Sequence, residues 1–217
     1  MTLSEENYLK AIYHLSDTEG KGVSTNKLAE AMETKASSAT DMIKKLADKS
    51  FVNYKKYQGV KLTKEGRLIA ASVVRKHRLW EVFLVEKLNF NWDEVHEVAE
   101  QLEHVKSEKL IEELDAYLDF PTVDPHGDPI PDKYGEIQAD KKVLLSSLKP
   151  GEKGICVGLE DTSKEFLQYL DKIKISLGIE LKVLEKEPFD NSVVLQFNDQ
   201  QLTVSAFTTT NIYVRKS

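Results

Sequence analysis

The sequence contains little of what secreted and membrane proteins depend on. Its 217 residues include a single cysteine, Cys156, which excludes an internal disulfide framework and favours a reducing compartment. No apolar run approaches the length of a membrane span, and the polar N-terminal segment is unlike a signal peptide. We therefore expect a cytoplasmic protein without membrane contact, and its length predicts more than one domain.

Sequence motifs of common enzyme families are also absent. The chain has no glycine-rich phosphate loop, no G-x-S-x-G and no H-E-x-x-H. A di-iron carboxylate bundle needs Glu-x-x-His on two helices, whereas the spacing in this sequence is His-x-x-x-Glu. These absences predict that the protein is not an enzyme.

The charged residues are distributed unevenly along the chain. Residues 1–78 contain 15 Lys and Arg against 9 Asp and Glu, while the remainder contains 15 against 27. A basic N-terminal part joined to an acidic remainder is typical of a DNA-binding domain fused to a cation-binding one. A merely solvated surface could show the same asymmetry, so the motifs have to decide.

The N-terminal part predicts a winged helix-turn-helix. Ser4 is expected to cap a first helix and Ser24 a short second one. The apolar positions of a third helix are spaced i, i+3, i+4 and i+7; they are Ala39, Met42, Ile43 and Leu46. Residues 51–63 then alternate and turn at Gln58-Gly59, which predicts a β-hairpin, the wing. This order of elements is typical of winged-helix DNA binding.

We expect the DNA contacts at the start of the third helix and on the wing. Small polar residues allow close approach to DNA, hydroxyls and a helix N-terminus can bond phosphates, and Thr40 could reach a base edge. The alternative is that the Ser/Thr cluster only caps the helix. The candidate DNA-binding residues are Lys35, Ser37, Ser38, Thr40, Lys44, Lys55 and Lys56.

Two short segments concentrate the metal-capable side chains. The first is His77-x-x-x-Glu81, and in the second four residues fall within about 100° of helical arc and form one stripe. Those four are His96, Glu100, Glu103 and His104. Imidazoles and carboxylates together suit a borderline divalent ion such as Mn, Fe, Co, Ni or Zn. The carboxylates alone could be a solvated helix face, but their pairing with histidines downstream of a DNA-binding module suggests a metal sensor acting on transcription.

Four segments of the chain carry a family pattern: residues 5–13, 75–79, 103–105 and 125–131. They resemble the diphtheria toxin repressor family, which comprises iron- and manganese-dependent transcriptional repressors. The resemblance covers the first two domains in the family's order. The tail from about residue 140 resembles the SH3-like domain of longer members through its apolar strands, Gly178 and a helix over residues 162–173.

The resemblance implies two metal sites in each subunit of a homodimer, with Mn(II) or Fe(II) as the cofactor. The primary, activating site would use the carboxylates and imidazole that end the stripe, Glu100, Glu103 and His104, together with Asn7 from the first helix. The ancillary site would use His77, Glu81 and His96. An acidic residue of the SH3-like domain would complete it, with Asp161 as the first candidate and Glu165 as the second.

The chain departs from the family pattern at two positions. Iron-responding members carry Met and Cys where this chain has Asn7 and Glu100, and manganese-responding members carry Asp and Glu. Asn7 offers a carbonyl oxygen without charge, or it satisfies the helix start, since it stands at N3 relative to Ser4. Lys10 stands where two-domain manganese members place an acidic ligand, which argues against a close two-manganese cluster of their type.

These features predict a mainly α protein with small β parts, an α+β fold in three domains. Residues 1–72 form the winged helix-turn-helix, 73–138 the helical dimerisation and metal-binding domain, and 139–217 an SH3-like, FeoA-like β-barrel. We expect metal to act as co-repressor on palindromic operator DNA of metal-uptake genes. The alternative function is a winged-helix regulator of a non-metal effector, which chelation with EDTA would distinguish.

Overall fold

The architecture is mainly helical in the first two thirds of the chain and sheet-based in the last third, which confirms the predicted fold class. The structure, a computed structural model, describes residues 1–16, 22–55, 58–138 and 141–217. Its chain divides into two units. Unit 1 comprises Met1–Trp80, Ala99–Ala116 and Ile130–Ile137, and unit 2 comprises Glu81–Val98, Tyr117–Pro129 and Gln138–Ser217. The three domain boundaries expected from the sequence stay predictions.

Unit 1 begins with three helices and a hairpin, in the order predicted for a winged helix. The elements are α1 Leu3–Leu15, α2 Thr25–Ala31, α3 Ala36–Asp48, β1 Val52–Lys55 and β2 Gly59–Leu62. The two strands pair antiparallel, with Lys55 opposite Gly59. Leu9, Ile12, Leu28, Ile43 and Leu46 are fully buried in one apolar core shared by the three helices. Lys56, the second predicted wing lysine, lies outside the described residues.

The start of α1 differs from the prediction that Ser4 caps it. Thr2 is the N-cap: its hydroxyl accepts from the Glu5 backbone N–H at 3.3 Å, and the Glu5 carboxylate accepts from the Thr2 N–H at 3.1 Å. A carboxylate three residues after the cap can reach back to the cap N–H, and Thr2-x-x-Glu5 supplies one. Asn7 therefore lies beyond the N3 position, and the alternative that it satisfies the helix start is wrong.

Three further helices follow the hairpin. They are α4 Lys64–Leu88, α5 Val95–Leu102 and α6 Glu108–Tyr117. The Thr63 hydroxyl accepts from the Gly66 N–H at 3.1 Å at the beginning of α4. Within unit 1, Arg75 of α4 donates to the Asp115 carboxylate of α6 at 2.6 Å and to the Pro131 carbonyl at 2.8 Å. These bonds hold the segment after α6 against α4.

Unit 2 contains a six-stranded antiparallel sheet of order β3-β8-β4-β5-β6-β7. Its elements are β3 Val143–Leu144, β4 Lys153–Leu159, α7 Lys164–Ile173, β5 Glu180–Lys186, β6 Val193–Phe197, β7 Gln200–Val204, α8 Ala206–Thr210 and β8 Ile212–Lys216. Helix α7 buries Phe166, Leu167 and Leu170 in the sheet core. Cys156 lies in that core, and burial raises the pKa of its thiol to about 11. Among the described helices, none is long and apolar enough to cross a membrane.

The revised cap of α1 gives a stability test. Replacing Thr2 by Ala removes one side of the capping box, and we expect it to lower the free energy of unfolding of the region containing α1 by about 1 kcal/mol. Ser4→Ala is the matched control and should have almost no effect, because Ser4 makes no cap. Native-state hydrogen exchange of the α1 amides measures both variants; equal destabilisation by the two would contradict the assignment.

Candidate metal centres

The first cluster of ligand-type side chains surrounds the carboxylate of Glu103, which directly follows α5 in unit 1 and is 1% exposed. The Lys10 ammonium of α1 donates to its two oxygens at 2.7 and 3.0 Å. His77 Nδ1 of α4 lies 2.6 Å from Oε2. Burial by itself raises the pKa of Glu103, but the hydrogen bond to His77 and the positive charge of Lys10 outweigh it, so the pKa is lowered. Glu103 is therefore an ionised carboxylate held inside the protein.

His104 is oriented by a residue that the sequence analysis did not single out. Its Nδ1 lies 2.6 Å from a carboxylate oxygen of Glu6 on α1, and its Nε2 lies 3.6 Å from Glu103 Oε1. A carboxylate that binds one ring nitrogen fixes the tautomer and directs the other nitrogen to a ligand. Glu6 thus presents His104 Nε2 towards Glu103, and both imidazole and carboxylate belong to the predicted primary site.

Asn7 has a buried side-chain oxygen, Oδ1, that finds no hydrogen-bond partner among the described residues. A buried acceptor without a partner is costly, so a native one calls for an explanation such as an ion. Asn7 lies three residues before Lys10, so the two share a side of α1. The Lys10 ammonium in turn lies 3.5 Å from Glu100, which is 52% exposed. Glu100 therefore borders this cluster, and Asn7 stands on α1 about one turn before its lysine.

The donor set of this first cluster fits a divalent cation. It offers carboxylate oxygens, one amide oxygen and one imidazole nitrogen, the ligands that suit manganese and iron(II). The orphaned Asn7 oxygen is the observation that a bound cation would explain. Of the predicted primary ligands, the structure brings Glu103 and His104 into contact, and Lys10 joins Glu100 to Glu103.

The second cluster lies in unit 2 and consists of three buried residues, Glu81, Asp124 and His126. Their ligand atoms lie within 4.8 Å of one another. His126 Nε2 bonds the Trp92 carbonyl oxygen at 2.9 Å, while Nδ1 lies 3.7 Å from Glu81 Oε2 and 3.8 Å from Asp124 Oδ1. An imidazole whose other nitrogen bonds a backbone carbonyl is the usual arrangement of a metal-binding histidine.

The turn that holds His126 is fixed by its neighbours. Asp124 Oδ1 accepts from the backbone N–H groups of His126 and Asp128 at 2.8 and 3.0 Å. Gly127 has φ +84°, and a Cβ there would collide with the backbone of Val157 on β4. Only glycine therefore allows this close approach, which places the His126 ring beside Glu81. This contact of His126 was not predicted from the sequence.

The predicted ancillary residues are placed as follows. Within unit 2, His96 Nδ1 lies 3.5 Å from Glu81 Oε1, although the His96 side chain is 64% exposed. His77 precedes Glu81 by one turn of α4, as its spacing predicted. Asp161 accepts from the Ser163 N–H at 2.8 Å before α7, and Glu165 is exposed in the first turn of α7. In the described part of the chain, neither Asp161 nor Glu165 joins a group of three close metal-capable residues.

Within the described residues, the predicted DNA-binding side chains lie at the N-cap of α3, along α3 and on β1 of the wing. Lys35 is the N-cap of α3 and makes no side-chain cap bond, so the first N–H groups of α3 are left for another acceptor. The Thr40 hydroxyl donates to the Ala36 carbonyl oxygen at 2.7 Å. Ser37, Ser38, Lys44 and Lys55 are exposed. The alternative that the Ser/Thr cluster caps α3 is therefore wrong.

Comparison with known proteins identifies the family. The N-terminal DNA-binding domain of iron-dependent repressors matches residues 1–60, their metal-binding and dimerisation domain matches 63–132, and the FeoA domain matches 143–216. A solved structure, a manganese-dependent transcriptional repressor in complex with manganese, is 35% identical with a TM-score of 0.86, covering 98% of this chain and 100% of that one. The chain belongs to the iron-dependent repressor family.

Relatives with assigned names support the same family. An uncharacterised HTH-type transcriptional regulator of Methanocaldococcus jannaschii is 34% identical over 119 residues, 55% of this chain and 95% of that protein. The iron-dependent repressor IdeR of Mycobacterium leprae is 35% identical over 126 residues, 58% of this chain and 54% of that repressor. The chain thus matches about half the length of the mycobacterial protein. The predicted resemblance, metal-dependent transcriptional regulation and the absence of enzyme function are confirmed.

Sequence reasoning missed three members of this repressor's clusters. Glu6 is one residue from Asn7 and was not singled out in the sequence, and Lys10 was treated only as a departure from the family pattern. His126 lies in the family segment 125–131 and was given no role of its own. Each of the three makes its decisive contact with a residue far along the chain, such as Glu6 with His104, 98 positions away. In the sequence, their only signal is that each contact joins a carboxylate to a lysine or a histidine.

The buried His126 gives a pH test on metal-free repressor. Its burial lowers the pKa, but Glu81 and Asp124 outweigh burial and raise it from 6.5 to about 9. Because the folded pKa is raised, the stabilisation is fully present below pH 6.5 and is lost as pH rises through 9. We expect the free energy of unfolding of the wild type to fall between pH 6.5 and pH 9. In His126→Gln, the part of this fall that comes from His126 should be absent. Denaturant unfolding at several pH values in chelator measures it; identical profiles would exclude the pairing.

Proposed function

We propose that this repressor is activated by Mn(II) or Fe(II) and then binds, as a homodimer in the cytoplasm, to palindromic operators of metal-uptake genes. The observation that carries the proposal is the cluster around Glu103, in which the buried and unpartnered Asn7 oxygen stands on the same helix as Lys10. Further support comes from the manganese-dependent repressor of similar structure and from the iron-dependent repressor of M. leprae. The three domains expected from the sequence are part of the proposal.

Asn7, Glu100, Glu103 and His104 would hold the activating cation. A bound divalent cation would supply positive charge that links α1 to the carboxylates at the end of α5. Glu6 holds the His104 ring so that Nε2 is directed inward. The ionised state of Glu103 provides the negative charge without a prior proton loss. Glu103 can therefore offer an ionised carboxylate to a cation at neutral pH.

The position of α1 is coupled to α3, which is the predicted recognition helix. Leu9 and Ile12 of α1 are buried in the core that also contains Ile43 of α3. In addition, the buried Glu5 carboxylate lies 2.9 Å from the Lys45 ammonium and 2.7 Å from that of Lys49. These ion pairs and a bond to Thr2 lower the pKa of Glu5 to about 2. A state in which α1 is fixed to α5 therefore also fixes α3.

Activation follows as a population shift. The arrangement that binds DNA must bind the cation more tightly than the other arrangements do, since equal affinity would shift nothing. Fixing α3 in each subunit sets the spacing of the two recognition helices, and that spacing has to match two half-sites of the operator. The metal is thus a co-repressor.

A second cation would occupy the ancillary site. The ligands inferred from the sequence remain in the proposal: His77, Glu81, His96 and Asp161, with Glu165 as the alternative to Asp161. The buried Asp124 and His126, whose ligand atoms lie close to those of Glu81, are added as candidate ligands. This site has an imidazole already oriented by the Trp92 carbonyl, the arrangement expected of a ligand.

The ligand atoms of the primary site limit which metals it would prefer. Oxygen-rich ligands such as Glu100 favour manganese or iron(II) over softer ions, although affinity order alone favours zinc and copper. Lys10 occupies the position beside Glu103 where a second, closely spaced manganese would need an acidic ligand. We therefore propose one cation in the primary site. Titration of operator binding with Mn, Fe(II), Co and Zn at buffered free concentrations identifies the physiological one.

The activation proposal predicts that Glu103→Gln or His104→Gln abolishes metal-dependent operator binding. Each change removes a ligand and leaves the side-chain volume almost unchanged. Glu97→Ala removes an exposed carboxylate of α5 and is the control; it should bind the operator at the wild-type metal concentration. Gel-shift titrations with buffered Mn, together with sedimentation to confirm the dimer, measure the outcome. A Glu103→Gln dimer that still responds at the wild-type concentration would exclude the primary-site assignment.

The DNA proposal predicts different effects for the wing and for α3. Neutralising Lys55 and Lys56 should weaken binding to all sequences alike and flatten the slope of log affinity against log salt by up to about two, because each lost phosphate contact removes roughly one released counterion. Thr40→Ala should change which operator variants are preferred, with little change of slope. Fluorescence anisotropy at several salt concentrations measures both. An unchanged salt slope in the double lysine variant would place the wing away from DNA.

A further inference from the structure

Lys10 supplies the positive charge that faces the carboxylates of the primary cluster, Glu103 and Glu100. Its side chain is only 14% exposed. Its ammonium lies 2.7 and 3.0 Å from the two oxygens of Glu103 and 3.5 Å from an oxygen of Glu100. An ammonium has three donors, and three carboxylate oxygens surround it. The carboxylates assigned above to the activating cation are therefore engaged by a cation of the chain itself.

We propose that Lys10 is a built-in competitor of the activating metal, whose ammonium has to leave the carboxylates before a divalent cation can bind. The inference depends on the proposed function, since it concerns the same primary site. In this proposal, Lys10 determines the metal concentration at which the repressor responds. Lys10 positions the carboxylates of the cluster and does not itself bind the metal.

The charges of the cluster explain why Lys10 is needed in the metal-free state. A buried carboxylate without a compensating charge is strongly destabilising, and Glu103 is almost fully buried. The Lys10 ammonium supplies that charge on α1, 93 positions away in the sequence. Without a metal, Lys10 thus stabilises the folded cluster by compensating the charge of Glu103.

The same charges explain why the metal and Lys10 exclude each other. A divalent cation bound to the oxygens of Glu103 would stand within a few ångströms of the ammonium, and like charges at that separation in a poorly solvated site repel strongly. Lysine has a flexible four-carbon stem and a strongly hydrated ammonium, so it can move to water when displaced. Breaking its charge-assisted hydrogen bonds then subtracts from the metal affinity.

Asn7 makes the competition more effective. An aspartate at this position would add a negative charge for the metal, whereas the amide of Asn7 adds only a dipole. The Lys10 ammonium bonds the carboxylates of Glu100 and Glu103, and the buried Asn7 oxygen has no hydrogen-bond partner among the described residues. In the metal-free cluster the ammonium therefore bonds the carboxylates and not the amide oxygen, whereas a divalent cation could bind both.

The test compares Lys10→Met and Lys10→Arg with wild type in the full-length, metal-free protein. Lys10→Met keeps the length of the side chain and removes its charge, and Lys10→Arg keeps the charge. Lys49→Met is the matched control, because it removes the same charge from the buried carboxylate of Glu5 and touches no proposed ligand. Two quantities are measured: the apparent Kd for Mn(II) by competition with a fluorescent chelator, and the melting temperature with and without Mn(II).

We expect Lys10→Met to bind Mn(II) about 10- to 100-fold more tightly at the step that Glu103→Gln abolishes, as the loss of competing charge-assisted bonds implies. Its metal-free melting temperature should fall, and the rise on adding Mn(II) should exceed that of wild type. Lys10→Arg and Lys49→Met should bind Mn(II) within about twofold of wild type. If Lys10→Met does not fold without metal, Lys10→Gln, which keeps a hydrogen-bond donor, takes its place.

Two results would overturn the inference, and they differ in what else they reject. In the first, the neutral Lys10 variants bind Mn(II) with wild-type or weaker affinity, while Glu103→Gln still abolishes one Mn(II) binding step. Lys10 then does not compete with the metal, and only the competition is rejected. If Glu103→Gln leaves every Mn(II) binding step unchanged, no metal binds at this cluster, and the proposed primary site is rejected together with the competition.

Discussion

The interaction on which the rest of unit 1 depends is the burial of the ionised Glu103 carboxylate. An ionised group in the interior requires compensating charge or hydrogen bonds from its neighbours. In this chain His77 of α4 and Lys10 of α1 provide them. Because these partners stand on different helices, the same carboxylate fixes how α1, α4 and the end of α5 meet. A change in the cation beside Glu103 is therefore a change in helix packing.

That packing reaches the predicted DNA-binding surface through α1. One end of α1 carries Glu5, whose carboxylate is held by Lys45 and Lys49 of α3 and its C-cap. Asn7 and Lys10 follow on the same helix, two and five residues after Glu5. The helix is stiff, and its apolar side is buried in the same core as α3. An event at one end of α1 is thereby transmitted to α3 over about one helical turn, and no separate relay is needed.

Much of unit 1 could be predicted from local patterns. The i, i+3, i+4 spacing of apolar residues placed α3, and the alternation around Gln58-Gly59 placed the wing, because both depend on neighbours within a few residues. The His-x-x-x-Glu spacings placed ligand-type residues on the right helices. The cap of α1 was assigned to Ser4 in place of Thr2, since both residues offer a hydroxyl. Only Thr2 has a carboxylate three residues later, that of Glu5, which completes the capping box.

The sequence by itself determined the elements, the ligand types and, through the resemblance, the family. Which ligand faces which partner was decided only by the tertiary structure: Lys10 meets Glu103 across 93 positions, and Glu6 meets His104 across 98. The same holds for His126, which reaches Glu81 because Gly127 lets its turn approach β4. Such contacts leave no local signal, because periodicity reports which side of a helix a residue occupies and carries no information about what is packed against that side.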